Sequence, residues 1–113
     1  MAAAANAVLN YTRGMTFEQF LADAKTRDAT IRQVEILGES VKGVAKKTLA
    51  AMPGPDWKGL AGVRDVLIHQ YFRVDPTVLW EVVQTDCPAV LAAALAELTK
   101  RGEPGLDFRP LDP

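Results

Sequence analysis

The residues best suited to chemistry lie together in the stretch VRDVLIHQYFRVD, residues 63–75. Arg64, His69 and Tyr71 follow the spacing Arg-x-x-x-x-His-x-Tyr, and Asp65 stands beside the arginine. His69 is the only histidine of the chain, and histidine is the side chain that exchanges protons most readily near neutral pH. Arginine supplies planar donors that suit a phosphate. The stretch therefore contains the groups needed for proton transfer beside a phosphodiester.

A helix would give this stretch two different faces. The four polar residues of the motif fall within an arc of about 160° when each residue advances by about 100°. The opposite arc is apolar and suits a hydrophobic core, and it carries Leu60, Val63, Val66 and Leu67. Ile68 and Phe72 interrupt the polar arc, which predicts burial on that side as well. In a domain this small, we expect a second copy of the chain to cover it, as a homodimer.

The chemistry of RNA cleavage gives the dimer a possible use. One group must remove the proton of a ribose 2′-hydroxyl, another must protonate the leaving oxygen, and a cation should stabilise the charged phosphorane. One chain supplies one histidine, whereas two chains supply two. Asp65 and His69 are also related by i,i+4, so the carboxylate is placed to orient the imidazole. The competing interpretation is that these side chains form ordinary surface ion pairs, and spacing alone leaves the function open.

Composition limits the class of protein. The 113 residues suffice for one domain with its own core, and 49% apolar with 24% charged residues is typical of a globular protein. The net charge of -1 gives no overall attraction for nucleic acid, so any RNA contact must come from local patches. A single cysteine, Cys87, excludes an intramolecular disulfide and favours a reducing, cytoplasmic location. We expect no signal peptide, no transmembrane helix, no metal site and no cofactor.

The chain predicts a series of helices and no strands. The expected helices are residues 2–12, a short helix after a capping box at Thr16–Gln19, and a long helix from Thr26 to about Ala51. Two prolines and a glycine at 52–56 break the chain before a helix from Trp57 through Phe72. Asp75 and Pro76 begin the last helix, which we expect to kink at Pro88 and end near Lys100.

The sequence around the motif resembles that of a known family. The phrases KTRDATIRQVEILGES and WKGLAGVRDVLIHQYFRVDPTVLWEVVQTDCP are similar to HepT-like proteins of the HEPN superfamily. The resemblance implies an all-α, antiparallel HEPN-type helical bundle that dimerises. It implies a HepT-like domain over residues 1–101, followed by a proline-rich tail at 102–113.

The resemblance also implies a function. Such proteins are typically metal-independent ribonuclease toxins of type VII toxin–antitoxin pairs. On the matching positions, Arg64 and His69 would be catalytic, and Asp65 would support them. The partner would be an MNT-type nucleotidyltransferase antitoxin, which transfers AMP to the tyrosine of the motif, here Tyr71. Arg73 stands where the family would have glycine, so the turn after Tyr71 is expected to differ.

A second interpretation belongs to another class of protein. The chain would be a non-catalytic helical partner, or substrate-presenting subunit, of a nucleotidyltransferase, with the motif forming an interface. The near-neutral charge favours this interpretation, whereas the acid–base grouping favours the enzyme.

Overall fold

The computed structural model describes residues 1–70 and 74–102, and all regular structure in these two ranges is helical. The first half contains α1 (Ala2–Thr12), α2 (Phe17–Ala22), α3 (Ala24–Gly43) and α4 (Lys46–Ala50). The second half contains α5 (Trp57–His69), α6 (Pro76–Glu81), a π-helical turn (Val82–Asp86) and α7 (Cys87–Lys100). The all-α fold class is therefore confirmed.

Local sequence signals set the starts of several helices. The Thr16 hydroxyl accepts from the Gln19 N–H at 3.1 Å, and the Gln19 side chain accepts from the Thr16 N–H at 2.9 Å, which completes the predicted capping box. The Asp75 carboxylate accepts from the Thr77 N–H at 2.9 Å at the start of α6. Both predicted N-caps are therefore confirmed.

The bundle is built around α3. This helix packs against α5 on one side and α1 on another, and α1 also contacts α7. In the described part of the chain, the main core is formed by fourteen buried residues: Ala4, Ala5, Val8, Phe20, Val34, Leu37, Val41, Leu60, Leu67, Leu79, Val82, Val83, Cys87 and Val90. Burial, together with the charge of Asp86, raises the pKa of the Cys87 thiol to about 12, so this cysteine behaves as a small core residue.

The helix predicted from Thr26 to about Ala51 is not continuous, because residues 44 and 45 interrupt it. α3 ends at Gly43, Val44 turns into an extended conformation, and the short α4 begins at Lys46. Glycine lowers helix stability by about 1 kcal/mol relative to alanine, so the chain leaves the helix at a weak point. α5 also ends earlier than predicted, at His69 rather than Phe72, with Gln70 as its C-cap.

The last helical run, Pro76–Lys100, continues through Pro88 as predicted. The disturbance takes the form of the π-helical turn just before the proline, because proline has no N–H to donate and its ring crowds the preceding turn. Among the described residues this run is long and apolar enough to cross a membrane by length and composition alone, with 33% of its apolar window buried. Part of this apolar run, including Leu79, Val83 and Val90, is buried in the core.

Candidate functional site

Arg64, Asp65 and His69 of the motif lie in the last turns of α5. The helix begins after the break at 52–56, where the Asp56 carboxylate accepts from the Gly59 N–H at 2.9 Å. Leu60 and Leu67 are buried and fix the rotation of the helix against the core. The cap sets where the helix starts, and these two leucines set which of its residues face outward.

One residue of α5 that was predicted to be buried is exposed. Val66, expected in the core, is 44% exposed. Val66 is about 200° from Arg64 around the helix axis, and the Arg64 side faces α3. The inner face of α5 is therefore rotated toward Arg64 relative to the prediction, and Val66 lies on the surface.

Arg64 approaches α3 at a glycine. A Cβ added at Gly38 would lie 2.3 Å from the Arg64 Cβ and 3.0 Å from the Leu60 carbonyl oxygen, so only glycine admits this contact. Gly43, later in α3, has no such neighbour, since a Cβ there would meet nothing within 4 Å. The Arg64 stem is thereby fixed between two helices.

The Arg64 guanidinium is held by two carboxylates. Its Nη2 lies 2.7 Å from Glu39 Oε2, and its Nη1 lies 3.1 Å from Asp65 Oδ1. The Arg64 side chain is 22% exposed, and its Nε is buried without a hydrogen-bond partner among the described residues. The stem of this arginine therefore stays in the interface between α3 and α5, and its terminal nitrogens meet carboxylates whose side chains are 62% and 48% exposed.

Asp65 connects the arginine to a second cation. Its Oδ1 also accepts from Nζ of Lys42, one helical turn after Glu39 on α3. The hydrogen bond from Lys42, followed by that from Arg64, lowers the pKa of the Asp65 carboxyl. Asp65 thus remains an anion at neutral pH.

His69 is the last residue of α5, and it is exposed. The predicted contact between Asp65 and His69 is not formed, because Lys42 and Arg64 hold the carboxylate. His69 lies five positions after Arg64, which is about 140° around the helix and about 7.5 Å along it. The two predicted catalytic residues therefore lie on one helix and both reach the surface, while Tyr71 falls outside the described residues.

Sequence reasoning missed the contribution of α3. Neither Glu39 nor Lys42 is predicted as a site residue from the sequence. Their i,i+3 spacing beside Gly38 was the available signal. It was insufficient, because only the three-dimensional arrangement shows which face of α3 meets α5.

A shallow surface cavity of about 320 Å³ lies beside Arg64. It is lined by Ile36 and Ile68 together with Arg32, Glu35, Glu39 and Ser40. Ile36 and Ile68 are 37% and 45% exposed, so apolar surface borders the charged groups, as predicted for Ile68. Within the described part of the chain, no group of three or more His, Cys, Asp and Glu side chains is arranged to hold a metal ion.

The all-α bundle and the Arg-x-x-x-x-His spacing on a surface helix match the HEPN class that the sequence resembles. The chain belongs to the HepT-like ribonuclease family, whose model, described as "Ribonuclease HepT-like", matches residues 1–96.

Individual relatives agree with this membership. "Probable ribonuclease HepT" of Thermococcus cleftensis is 41% identical over 80% of this chain and 82% of its own length. "Putative RNase MJ0127" of Methanocaldococcus jannaschii is 40% identical over 72% of this chain and 67% of its own. No solved structure gives a significant match.

Proposed function

We propose that the chain is a metal-independent endoribonuclease that cleaves RNA by acid–base chemistry at Arg64 and His69. The observation that carries the proposal is the family match over residues 1–96, together with an Arg-x-x-x-x-His motif whose arginine and histidine both reach the surface of α5. Arginine suits the phosphate, and histidine suits proton transfer.

The reaction that fits these groups is an internal transesterification. His69 accepts the proton of the ribose 2′-hydroxyl, and the 2′-oxygen attacks the adjacent phosphorus. The bond from phosphorus to the 5′-oxygen breaks, and that oxygen takes a proton from an acid, leaving a 2′,3′-cyclic phosphate and a 5′-hydroxyl. Arg64 stabilises the negative charge of the phosphorane.

The second proton-transfer group comes from a second copy of the chain, because each chain has one histidine. Exposed Ile36 and Ile68 border the network around Arg64 and favour this face as the contact surface. A two-fold axis through it would bring two motifs together.

The proposed off-switch is Tyr71, two residues after the exposed His69. A nucleotidyltransferase antitoxin would transfer AMP from ATP to the Tyr71 hydroxyl, with release of pyrophosphate. The added phosphate and nucleoside bring bulk and negative charge next to the groups that hold RNA. We accordingly place the chain in the cytoplasm as the toxin of a type VII toxin–antitoxin pair.

The proposed catalysis is tested by purifying the chain without its antitoxin and incubating it with cellular RNA. We expect cleavage with 2′,3′-cyclic phosphate ends, and a loss of about 10²–10⁴-fold in His69→Ala and a comparable loss in Arg64→Ala. Gln70→Ala, at the exposed neighbouring position, is the matched control and should keep activity. A wild-type chain that cuts no RNA, or alanine variants as active as wild type, would refute the catalytic role.

The proposed switch is tested by producing the chain together with its nucleotidyltransferase. We expect the peptide that contains Tyr71 to gain the mass of AMP, and Tyr71→Phe to remain active and unmodified in the presence of the partner. An inhibited wild-type protein whose Tyr71 peptide is consistently unmodified would rule out this mechanism.

One observation favours the rival interpretation, a non-catalytic helical partner of a nucleotidyltransferase. Arg64 is paired with Glu39 and Asp65, as expected for a structural ion-pair network. The two functions differ in one outcome: a binding partner would still form the complex with the nucleotidyltransferase when His69 is replaced, and it would cleave no RNA in any form.

A further inference from the structure

The network around Arg64 is balanced in charge. Within residues 1–70 and 74–102, two cations, Lys42 and Arg64, meet two carboxylates, Glu39 and Asp65, and the three ion pairs form a chain in the order Glu39, Arg64, Asp65, Lys42. A network with no net charge gives a phosphate little attraction. An RNA phosphate that binds Arg64 must therefore replace one of the two carboxylates.

The two carboxylates differ in how firmly they are held. Asp65 is bonded by two cations, one on each helix, and its side chain is 48% exposed. Glu39 is 62% exposed, and among the described residues its one ion pair is with Arg64. Because Glu39 is the more exposed carboxylate and is held by one cation, it is the partner that a phosphate displaces most easily.

We propose, on the basis of the proposed ribonuclease function, that Glu39 occupies the position on Arg64 where an RNA phosphate binds. Lys42 positions Asp65 and neutralises its charge, so Arg64 presents a net positive charge when Glu39 is displaced. Both are positioning residues, because they act on Arg64 and not on the reacting atoms.

The net charge around Arg64 depends on whether Glu39 and Lys42 are present. With Glu39 displaced, Lys42, Arg64 and Asp65 together carry +1, which attracts a phosphate. Without Lys42 the remaining pair of Arg64 and Asp65 carries no net charge. Lys42 is therefore required for attraction, whereas Glu39 opposes it, so the two residues have opposite expected effects on RNA binding although both lie on α3.

The test measures binding of a 2′-O-methylated RNA, which lacks the free 2′-hydroxyl and is not cleaved, by fluorescence anisotropy at several salt concentrations. We expect Glu39→Gln to tighten binding about threefold to fivefold and Lys42→Gln to weaken it by a similar factor. Lys42→Gln should also make the dependence of log Kd on log salt shallower, and Lys42→Arg should restore binding.

The controls remove the same charges elsewhere. Lys25→Gln is on the same helix about 25 Å along its axis, and Glu18→Gln is in the exposed first turn of α2. With unmodified RNA, Glu39→Gln should lower KM and leave kcat near the wild-type value, whereas a residue needed for structure would lower kcat.

Two results would overturn the inference: Glu39→Gln that binds no tighter than Glu18→Gln, or Lys42→Gln that binds as well as Lys25→Gln. Failure of the proposed function would be seen in a separate measurement, as a wild-type chain that does not cleave unmodified RNA. A chain that binds the methylated probe with the expected pattern but cuts no RNA supports the inference and refutes the ribonuclease. A chain that does not bind the probe refutes the inference, and its cleavage of unmodified RNA then decides the proposed function on its own.

Discussion

Arg64 is partly buried, and different contacts hold its stem and its guanidinium. Gly38 admits the stem, and the carboxylates of Glu39 and Asp65 hold the head. The sequence indicated Arg64 and His69 because their types and spacing are visible in one segment. Glu39 and Lys42 were not predicted, since they lie more than twenty residues away and only the contact of two helices brings them to the motif.

Asp65 gives a pH dependence that can be measured. Lys42, then Arg64, lowers the pKa of its carboxyl in the folded chain below the ordinary value of about 3.9. Its contribution to stability is therefore present above about pH 4 and is lost as the pH falls through the lower folded-state pKa. In urea unfolding, we expect Asp65→Asn to be less stable than wild type near neutral pH.

The gap between wild type and Asp65→Asn should close in acid, and high salt should reduce it because the pair is exposed. The difference between the two proteins is measured because Asp86 affects the stability of both in the opposite direction. Burial, then the nearby charges of Asp56 and Glu81, raises the pKa of the Asp86 carboxyl. A gap that stays constant from neutral pH to about pH 3 would contradict the assignment.

At the scale of the helices, the sequence predicted starts better than ends. N-caps at Thr16, Asp56 and Asp75 depend on local hydrogen bonds, and all three form. The end of α3 at Gly43 and of α5 at His69 depend on how the bundle packs, which no local signal specifies. The same limit explains Val66, whose exposure follows from the rotation of α5 toward α3.

The contact at Gly38 predicts a specific mutational effect. Gly38→Ala would place its Cβ 2.3 Å from the Arg64 Cβ, so α3 and α5 must separate. We expect a loss of about 1–3 kcal/mol in the free energy of unfolding and a large loss of RNA cleavage, because Arg64 moves with the helix. Chemical denaturation and the RNA assay measure the two effects.

Gly43→Ala is the matched control, since a Cβ there meets nothing within 4 Å. It should be neutral or stabilise the chain by about 0.4–1 kcal/mol, because alanine restricts the unfolded state more than glycine does. Equal effects of the two substitutions would show that helix propensity, and not the close approach, determines the role of Gly38.

At the scale of the whole molecule, the predicted all-α fold is confirmed, while the homodimer remains a proposal. The apolar pattern of the motif helix predicted two buried sides, and the single chain buries one of them at Leu60 and Leu67. Ile68 stays on the surface beside Ile36, where a second chain would cover it. A single sequence indicates that a surface needs covering, but not how much area the partner buries.

Ile68→Asp tests this surface. A charge at a buried contact is costly, so we expect the variant to be monomeric by light scattering and to lose RNA cleavage. Val78→Asp is the matched control, because Val78 is 46% exposed against 45% for Ile68 and lines a different groove, between α5 and α6. A dimeric and active Ile68→Asp variant would place the contact elsewhere.

The close approach at Gly38 has a consequence for how the site would bind and release its ligands. The position of Arg64 is set by the spacing of two backbones, which deform less than an exposed side chain such as Glu39. The cation is thereby immobilised, while the anion that faces it is exchangeable. In this respect the proposed site resembles an anion-exchange resin, in which a fixed positive group holds a weak counterion until a stronger one, here the phosphate of a polyanion, arrives.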